Sequence, residues 1–168
     1  MRDHMTEYIL GPIQEDDGHE IIDIFNYYIE NSFAAFPKQK VPYEFFGMLA
    51  GMAGELPTVA ARDSEGRILG FGMLRHHNPM PAFSHTAEVT YFLKPGMTGK
   101  GIGGSILRYL EDEGTERGIT RLLACIASPN EGSIRFHEKH GFTRCGKFSK
   151  VARKNGVLFD TVWMEKGI

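Results

Sequence analysis

Cysteine is scarce in this chain. There are only two, Cys125 and Cys145, and neither lies in a Cys-x-x-Cys pair or a metal-spaced cluster. That excludes a disulfide framework and points to indifferent thiols in a reducing compartment. Long apolar runs are missing too. No stretch approaches the roughly 20 residues of a membrane span, and Met1–Glu7 carries no apolar segment of signal-peptide type. Basic clusters are absent. With a net charge of -2 and an isoelectric point near 6.4, the chain lacks the electrostatic footprint of a nucleic-acid binder. His76, His77 and His85 have no acid spaced to complete a metal site, so no metal is expected. There is no internal repeat and no low-complexity tract. What remains is an ordinary cytoplasmic globular protein. Its 168 residues, 42% of them hydrophobic, suffice for one domain spanning 1–168.

What the chain does have is glycine at one place. Thr98-Gly99-Lys100-Gly101-Ile102-Gly103-Gly104 follows an extended run ending at Leu93 and opens into a helical pattern. Glycines leave backbone N–H groups uncovered. At a helix start those groups carry the positive end of the dipole and can hold a phosphate or pyrophosphate. Lys100 adds a point charge. Three loops of this kind compete. A P-loop needs Lys followed by Ser or Thr, and here Gly101 follows Lys100. A dinucleotide loop needs G-x-G-x-x-G after a first strand, and the spacing and mid-chain position are wrong for it. The acyl-CoA loop, Gln/Arg-x-x-Gly-x-Gly/Ala, is matched at Gly101 and Gly103, with Thr98 in place of the Arg or Gln. A glycine-rich turn without a ligand is the bland alternative.

Periodicity supplies the surroundings. Tyr8–Leu10 reads as a strand. Asp16 or Asp17 can cap a helix carrying Ile21, Ile22, Phe25, Tyr28 and Ile29. Pro42 can start a second helix with Phe45, Phe46, Leu49 and Met52. Thr58–Arg62 and Ile68–Leu74 read as a hairpin around Asp63–Gly66, and His85–Leu93 as the next strand. A helix follows the glycine loop, then a buried strand, Leu122–Ala127. Asn130 or Ser128 starts a helix that Gly141 ends. Arg144–Lys150 and Val157–Glu165 form a last antiparallel pair around Asn155-Gly156. The order β-α-α-β-β-β-α-β-α-β-β predicts an α/β (α+β) fold with one mostly antiparallel sheet and helices on both faces. The strands flanking the post-glycine helix should be parallel.

That order, the loop, and Ser128–Phe142, in which an Asn precedes a helix ending in Gly-Phe, resemble the GCN5-related N-acetyltransferase (GNAT) family over nearly the whole chain. Thr86-Ala87-Glu88-Val89, Ser133-Ile134-Arg135-Phe136-His137-Glu138 and Phe25–Ser32 are similar to its phosphinothricin / methionine sulfone acetyltransferase branch. The resemblance implies a sheet that splays between its two parallel strands and acetyl-CoA as acetyl donor. It implies a small amine as acceptor, such as an amino acid or an analogue like phosphinothricin or methionine sulfone, and a homodimer. Cofactor contacts are expected at Tyr91, Phe92 and Leu93, at Gly99, Lys100, Gly101, Ile102, Gly103 and Gly104, and at Asn130 and Lys139. Glu88, an acid in an apolar strand, is the expected general base, because partial desolvation moves a carboxylate toward useful basicity. His137 is expected near the thioester sulfur, as acid or base. Both His137 and Asn130 are expected to face the splay. Phe36, Arg75 and Phe83 are expected in the acceptor pocket, with Arg75 or a histidine substituting for an Arg the branch carries closer to Phe83. A protein or peptide acetyltransferase and a non-catalytic acyl-CoA-binding module are the competing readings.

Overall fold

The computed structural model describes residues 7–168; the stretch of the N-terminal run before Glu7 lies outside the described residues. The strands are β1 (Ile9–Gly11), β2 (Thr58–Arg62), β3 (Ile68–His76), β4 (Thr86–Leu93), β5 (Arg121–Ala127), β6 (Thr143–Lys154) and β7 (Val157–Gly167). The helices are α1 (Gly18–Asn31), α2 (Phe45–Ala53), α3 (Ile102–Glu116) and α4 (Glu131–Lys139), in the expected order. One seven-stranded sheet runs β1-β2-β3-β4-β5-β7-β6, antiparallel except at β4–β5.

Several boundaries differ from expectation, each for a local reason. The α1 cap is not a side-chain cap: the Asp17 carboxylate instead accepts from the Gln14 N–H and from Arg62. Pro42 opens a turn, Phe45 N–H to Pro42 carbonyl, and α2 starts only at Phe45. β3 runs on to His76 because β4 pairs with it as far as Ala87. The β6–β7 hairpin is longer than its alternation suggests and turns at Asn155 and Gly156, both with positive φ, as a tight two-residue hairpin turn requires.

Two cores flank the sheet. On one face α3 and α4 bury Ile102, Ile106, Leu107, Leu110 and Ile134 against Leu74, Ala87, Val89, Leu122, Ala124 and Met164. Gly72 allows that approach: a Cβ there would sit 2.8 Å from Ile106. On the other face α1 and α2 bury Ile21, Ile22, Phe25, Ile29 and Leu49 against Ala60, Ile68, Phe71 and Met73. Each fully buried Ile, Leu, Phe or Met among them contributes about 1.5–3 kcal/mol of hydrophobic stabilisation. No β5, β6 or β7 residue belongs to this second cluster among the described residues, so α1 and α2 cover only the β2–β4 half of their face.

Candidate functional site

The glycine run divides into two jobs. Gly99 and Gly101 have φ of 75° and 81°, the left-handed region that glycine enters freely, and nothing stands within 4 Å of where their Cβ atoms would be. Gly103 and Gly104 serve packing instead: a Cβ there would meet the Phe136 ring at 3.2 Å and His140 Nε2 at 2.8 Å. They let α4 lie across the first turn of α3. The first α3 hydrogen bond runs from Ser105 N–H to the Gly101 carbonyl, 3.1 Å. The N–H groups of Ile102, Gly103 and Gly104 therefore have no partner within the helix, and no acid sits in the first turn. Lys100 is exposed beside them, while the Ile102 side chain is buried, so Ile102 offers only its backbone. A 15-residue helix with an open, acid-free start fits a pyrophosphate. Lys139 is exposed at the end of α4, the end that crosses this turn.

The splay lies alongside. β4 and β5 pair only over Thr86–Glu88 with Arg121–Leu123, then diverge. Lys94 N–H donates to the Leu69 carbonyl at 2.8 Å. By strand alternation, Tyr91 and Val89 then turn their backbone groups to the β5 side, into the gap. Leu93 faces the same edge, but its carbonyl accepts from the Tyr28 hydroxyl at 2.6 Å. Phe92 points its ring away, onto Phe25, Tyr28 and Phe71. Asn130 caps α4: its side-chain oxygen accepts from Ser133 N–H at 3.3 Å, and its amide NH2 has no partner among the described residues.

His137 does not line the splay as expected; it is interior, 3% exposed. Its Nδ1 lies 2.7 Å from the Ser133 carbonyl, so Nδ1 carries the proton, and Nε2 accepts from the Tyr91 hydroxyl. Burial lowers its pKa from 6.5 to about 4, so the ring is neutral at physiological pH. Burial also pushes the Tyr91 hydroxyl well above its ordinary range.

Glu88 sits on the other face. Arg75, directly across from it on β3, donates to Oε1 at 3.2 Å and to the Thr90 hydroxyl at 2.9 Å. His77 Nδ1 lies 3.0 Å from Oε2. Tyr91 is three residues further along β4 and packs into the α3 core, so it lies about 10 Å along the strand and across the sheet from Glu88. The Glu88 face continues over the uncovered half of the sheet. Cys125 on β5 is paired with Trp163 on β7, and Thr161 and Phe159 follow Trp163 on the same side. Phe33 and Phe36 lean on Phe159, and Phe83 and Trp163 flank His77. A cavity of about 420 Å³ opens here, lined by His77, Leu123, Phe148 and Trp163. Trp163 Nε1–H is buried with no acceptor among the described residues. No cluster of three His, Cys, Asp or Glu suited to a metal ion is found among them. Sequence reasoning missed Tyr28, Phe159 and Trp163; a lone Trp in a terminal strand was the one available signal.

The two faces meet at a gap in the parallel pair, and known proteins share this fold. A sequence family described as "Acetyltransferase (GNAT) family" matches residues 21–142. A phosphinothricin N-acetyltransferase of Streptomyces coelicolor is 31% identical over 165 residues, 96% of each chain. A GNAT superfamily phosphinothricin acetyltransferase from Sinorhizobium meliloti, solved in complex with AcCoA, superposes with a TM-score of 0.90 at 25% identity, covering 98% of this chain and 89% of its own. A ribosomal-protein-alanine N-acetyltransferase from Brucella melitensis superposes with a TM-score of 0.88 at 26% identity, covering 95% and 99%. The chain belongs to the GNAT acetyltransferase family and is an enzyme that takes its acetyl group from acetyl-CoA.

Proposed function

We propose that this enzyme acetylates the amine of a small molecule, an amino acid or an analogue of the phosphinothricin type. The observation that carries this reading is the place where the sheet opens: β4 and β5 part immediately after Glu88. A donor held on the α3 face by the Gly99–Gly104 backbone, the Tyr91 edge and Asn130 presents its thioester at that gap, with Lys100 and Lys139 near the phosphates. An acceptor on the opposite face meets Glu88 there. Glu88 supplies the negative charge that draws an ammonium in, and Phe36, Arg75 and Phe83 border the approach. His137 supports this edge through Tyr91.

A small acceptor is favoured over a protein by the aromatic side chains on this face: Phe148 and Trp163 line the cavity with His77, Phe83 packs against His77, and Phe36 against Phe159. The similarity to the Streptomyces enzyme over 96% of each chain supports the same choice. A homodimer is part of the proposal. Phe148, Val151, Val157 and Leu158 on the β6–β7 hairpin are 46–60% exposed, an apolar surface that a second copy would cover. The free thiols of Cys125 and Cys145 and the need for acetyl-CoA support a cytoplasmic location.

The test is product identification. Acetyl-CoA and the enzyme are incubated with phosphinothricin, methionine sulfone, ordinary amino acids, polyamines and N-terminal peptides, and each acceptor is checked by mass for one added acetyl group. Acetylation confined to amino-acid-sized acceptors supports the proposal; acetylation confined to peptides contradicts it.

A further inference from the structure

Both carboxylate oxygens of Glu88 are already engaged. Arg75 holds Oε1 at 3.2 Å and His77 Nδ1 stands 3.0 Å from Oε2. An ionised carboxylate only accepts, so His77 must donate through Nδ1–H. That tautomer leaves a lone pair on His77 Nε2, and no group among the described residues is hydrogen-bonded to it. The His77 side chain is 31% exposed against 14% for Glu88. Its ring lies 5.9 Å from Phe83 and 6.3 Å from Trp163, and it lines the cavity on the acceptor face. The basic atom presented to an incoming amine therefore belongs to His77, not to the carboxylate behind it.

We propose that His77 is the catalytic group that takes the proton from the acceptor ammonium, and that Glu88 is its positioning residue. This rests on the acetyltransferase reading above and names the base within it. The proton of the bound R–NH3⁺ moves to His77 Nε2, while Nδ1–H stays on Glu88 Oε2, where the carboxylate stabilises the imidazolium. The freed nitrogen lone pair forms the C–N bond to the thioester carbonyl carbon, and the C–S bond breaks. A second nitrogen proton goes to the departing thiolate, and His77 releases its own proton to solvent. Arg75 fixes Glu88 from the far side. The other charged or titratable groups around the pair are Cys145 and Lys147 on β6, which line the cavity with His77, and Cys125 on β5, which lies near Glu88 and Arg75.

The test combines structure, rate and rescue. In the enzyme without donor, imidazole ¹⁵N shifts of His77 should report the Nδ1–H tautomer; an Nε2–H tautomer overturns the proposal. His77→Ala and His77→Gln should each lose about 10²–10⁴-fold in kcat/KM at neutral pH. Acetyl-CoA affinity and melting temperature, measured on the same samples, should stay near wild type. Added free imidazole should restore the Ala variant by about tenfold or more, with saturation. A His77→Gln enzyme within a few-fold of wild type, or an Ala variant that imidazole does not rescue, overturns the assignment while leaving the acetyltransferase reading intact. A wild-type enzyme that acetylates no amine overturns that reading instead.

Discussion

The Tyr91 hydroxyl donates to Nε2 of His137, and that hydrogen bond joins the splayed edge of β4 to the interior of α4. With Nδ1 on the Ser133 carbonyl, neither ring nitrogen of His137 is free. Its role is to hold Tyr91, and through Tyr91 the backbone edge that faces the gap. His137→Ala is expected to destabilise the fold by about 2–4 kcal/mol, from a cavity plus an orphaned hydroxyl. Tyr91→Phe should cost about 1–3 kcal/mol, because it leaves a buried acceptor unpaired. Denaturant titration of both variants checks this; unchanged midpoints contradict it.

Stability should depend on pH through His137. Its pKa is near 4 folded against 6.5 unfolded, so between those values the unfolded chain binds more protons. Unfolding free energy therefore falls as pH drops through that window, by about 3 kcal/mol for the full shift, since one pKa unit is about 1.4 kcal/mol. His137→Gln should flatten that slope. Melting curves between pH 7 and 4 decide it; an equally steep loss in the Gln variant assigns the acid sensitivity elsewhere.

Gly101 separates cofactor binding from folding. Asn accepts the left-handed conformation better than other residues with a side chain, and space around the Gly101 Cβ position is open. Gly101→Asn should therefore keep the melting temperature within a few degrees but weaken CoA binding roughly tenfold or more, by crowding the phosphate approach. Calorimetry with CoA tests it, and unchanged affinity would place the phosphates elsewhere.

Lys154 is 1% exposed, and its ammonium donates to the Ser32 and Ala35 carbonyls, 2.8 Å each. It ties the β6–β7 hairpin to the Phe33–Phe36 segment. Lys154→Met orphans both carbonyls and should cost about 1–3 kcal/mol. It should also raise KM for the acceptor more than it lowers kcat, because Phe36 loses its support. Steady-state kinetics with the acceptor varied would show this; an unchanged KM contradicts it.

Much of the fold was legible in local pattern. Thr58–Arg62 appears as a strand over that same span, and the parallel pair follows from one helix between two strands; its gap was implied by the family resemblance alone. What pattern missed depends on register. The pairing of Arg75 with Glu88 is a cross-strand relation between β3 and β4, and no local spacing reveals it. Arg75, expected to hold an acceptor carboxylate, is seen donating to Glu88 for the same reason. His137 sits on a short helix with mixed polarity, and its ring packs on Phe142 just past the helix and on Tyr91, distant in sequence, a contact no local pattern shows. The glycine run looked uniform; only the crossing of α4 over α3 distinguishes Gly103 and Gly104 from Gly99 and Gly101.

The most direct test of the central claim is thiol release from acetyl-CoA, followed with saturating amine for the wild type and Glu88→Gln side by side. Small-amine acetylation centred on Glu88 predicts amine-dependent release by the wild type. It predicts a loss of roughly 10²–10⁴-fold in Glu88→Gln at neutral pH with acetyl-CoA affinity retained, and partial recovery at high pH, where more of the amine is already neutral. A Glu88→Gln enzyme as fast as the wild type at neutral pH, or no amine-dependent release by either protein, would contradict it.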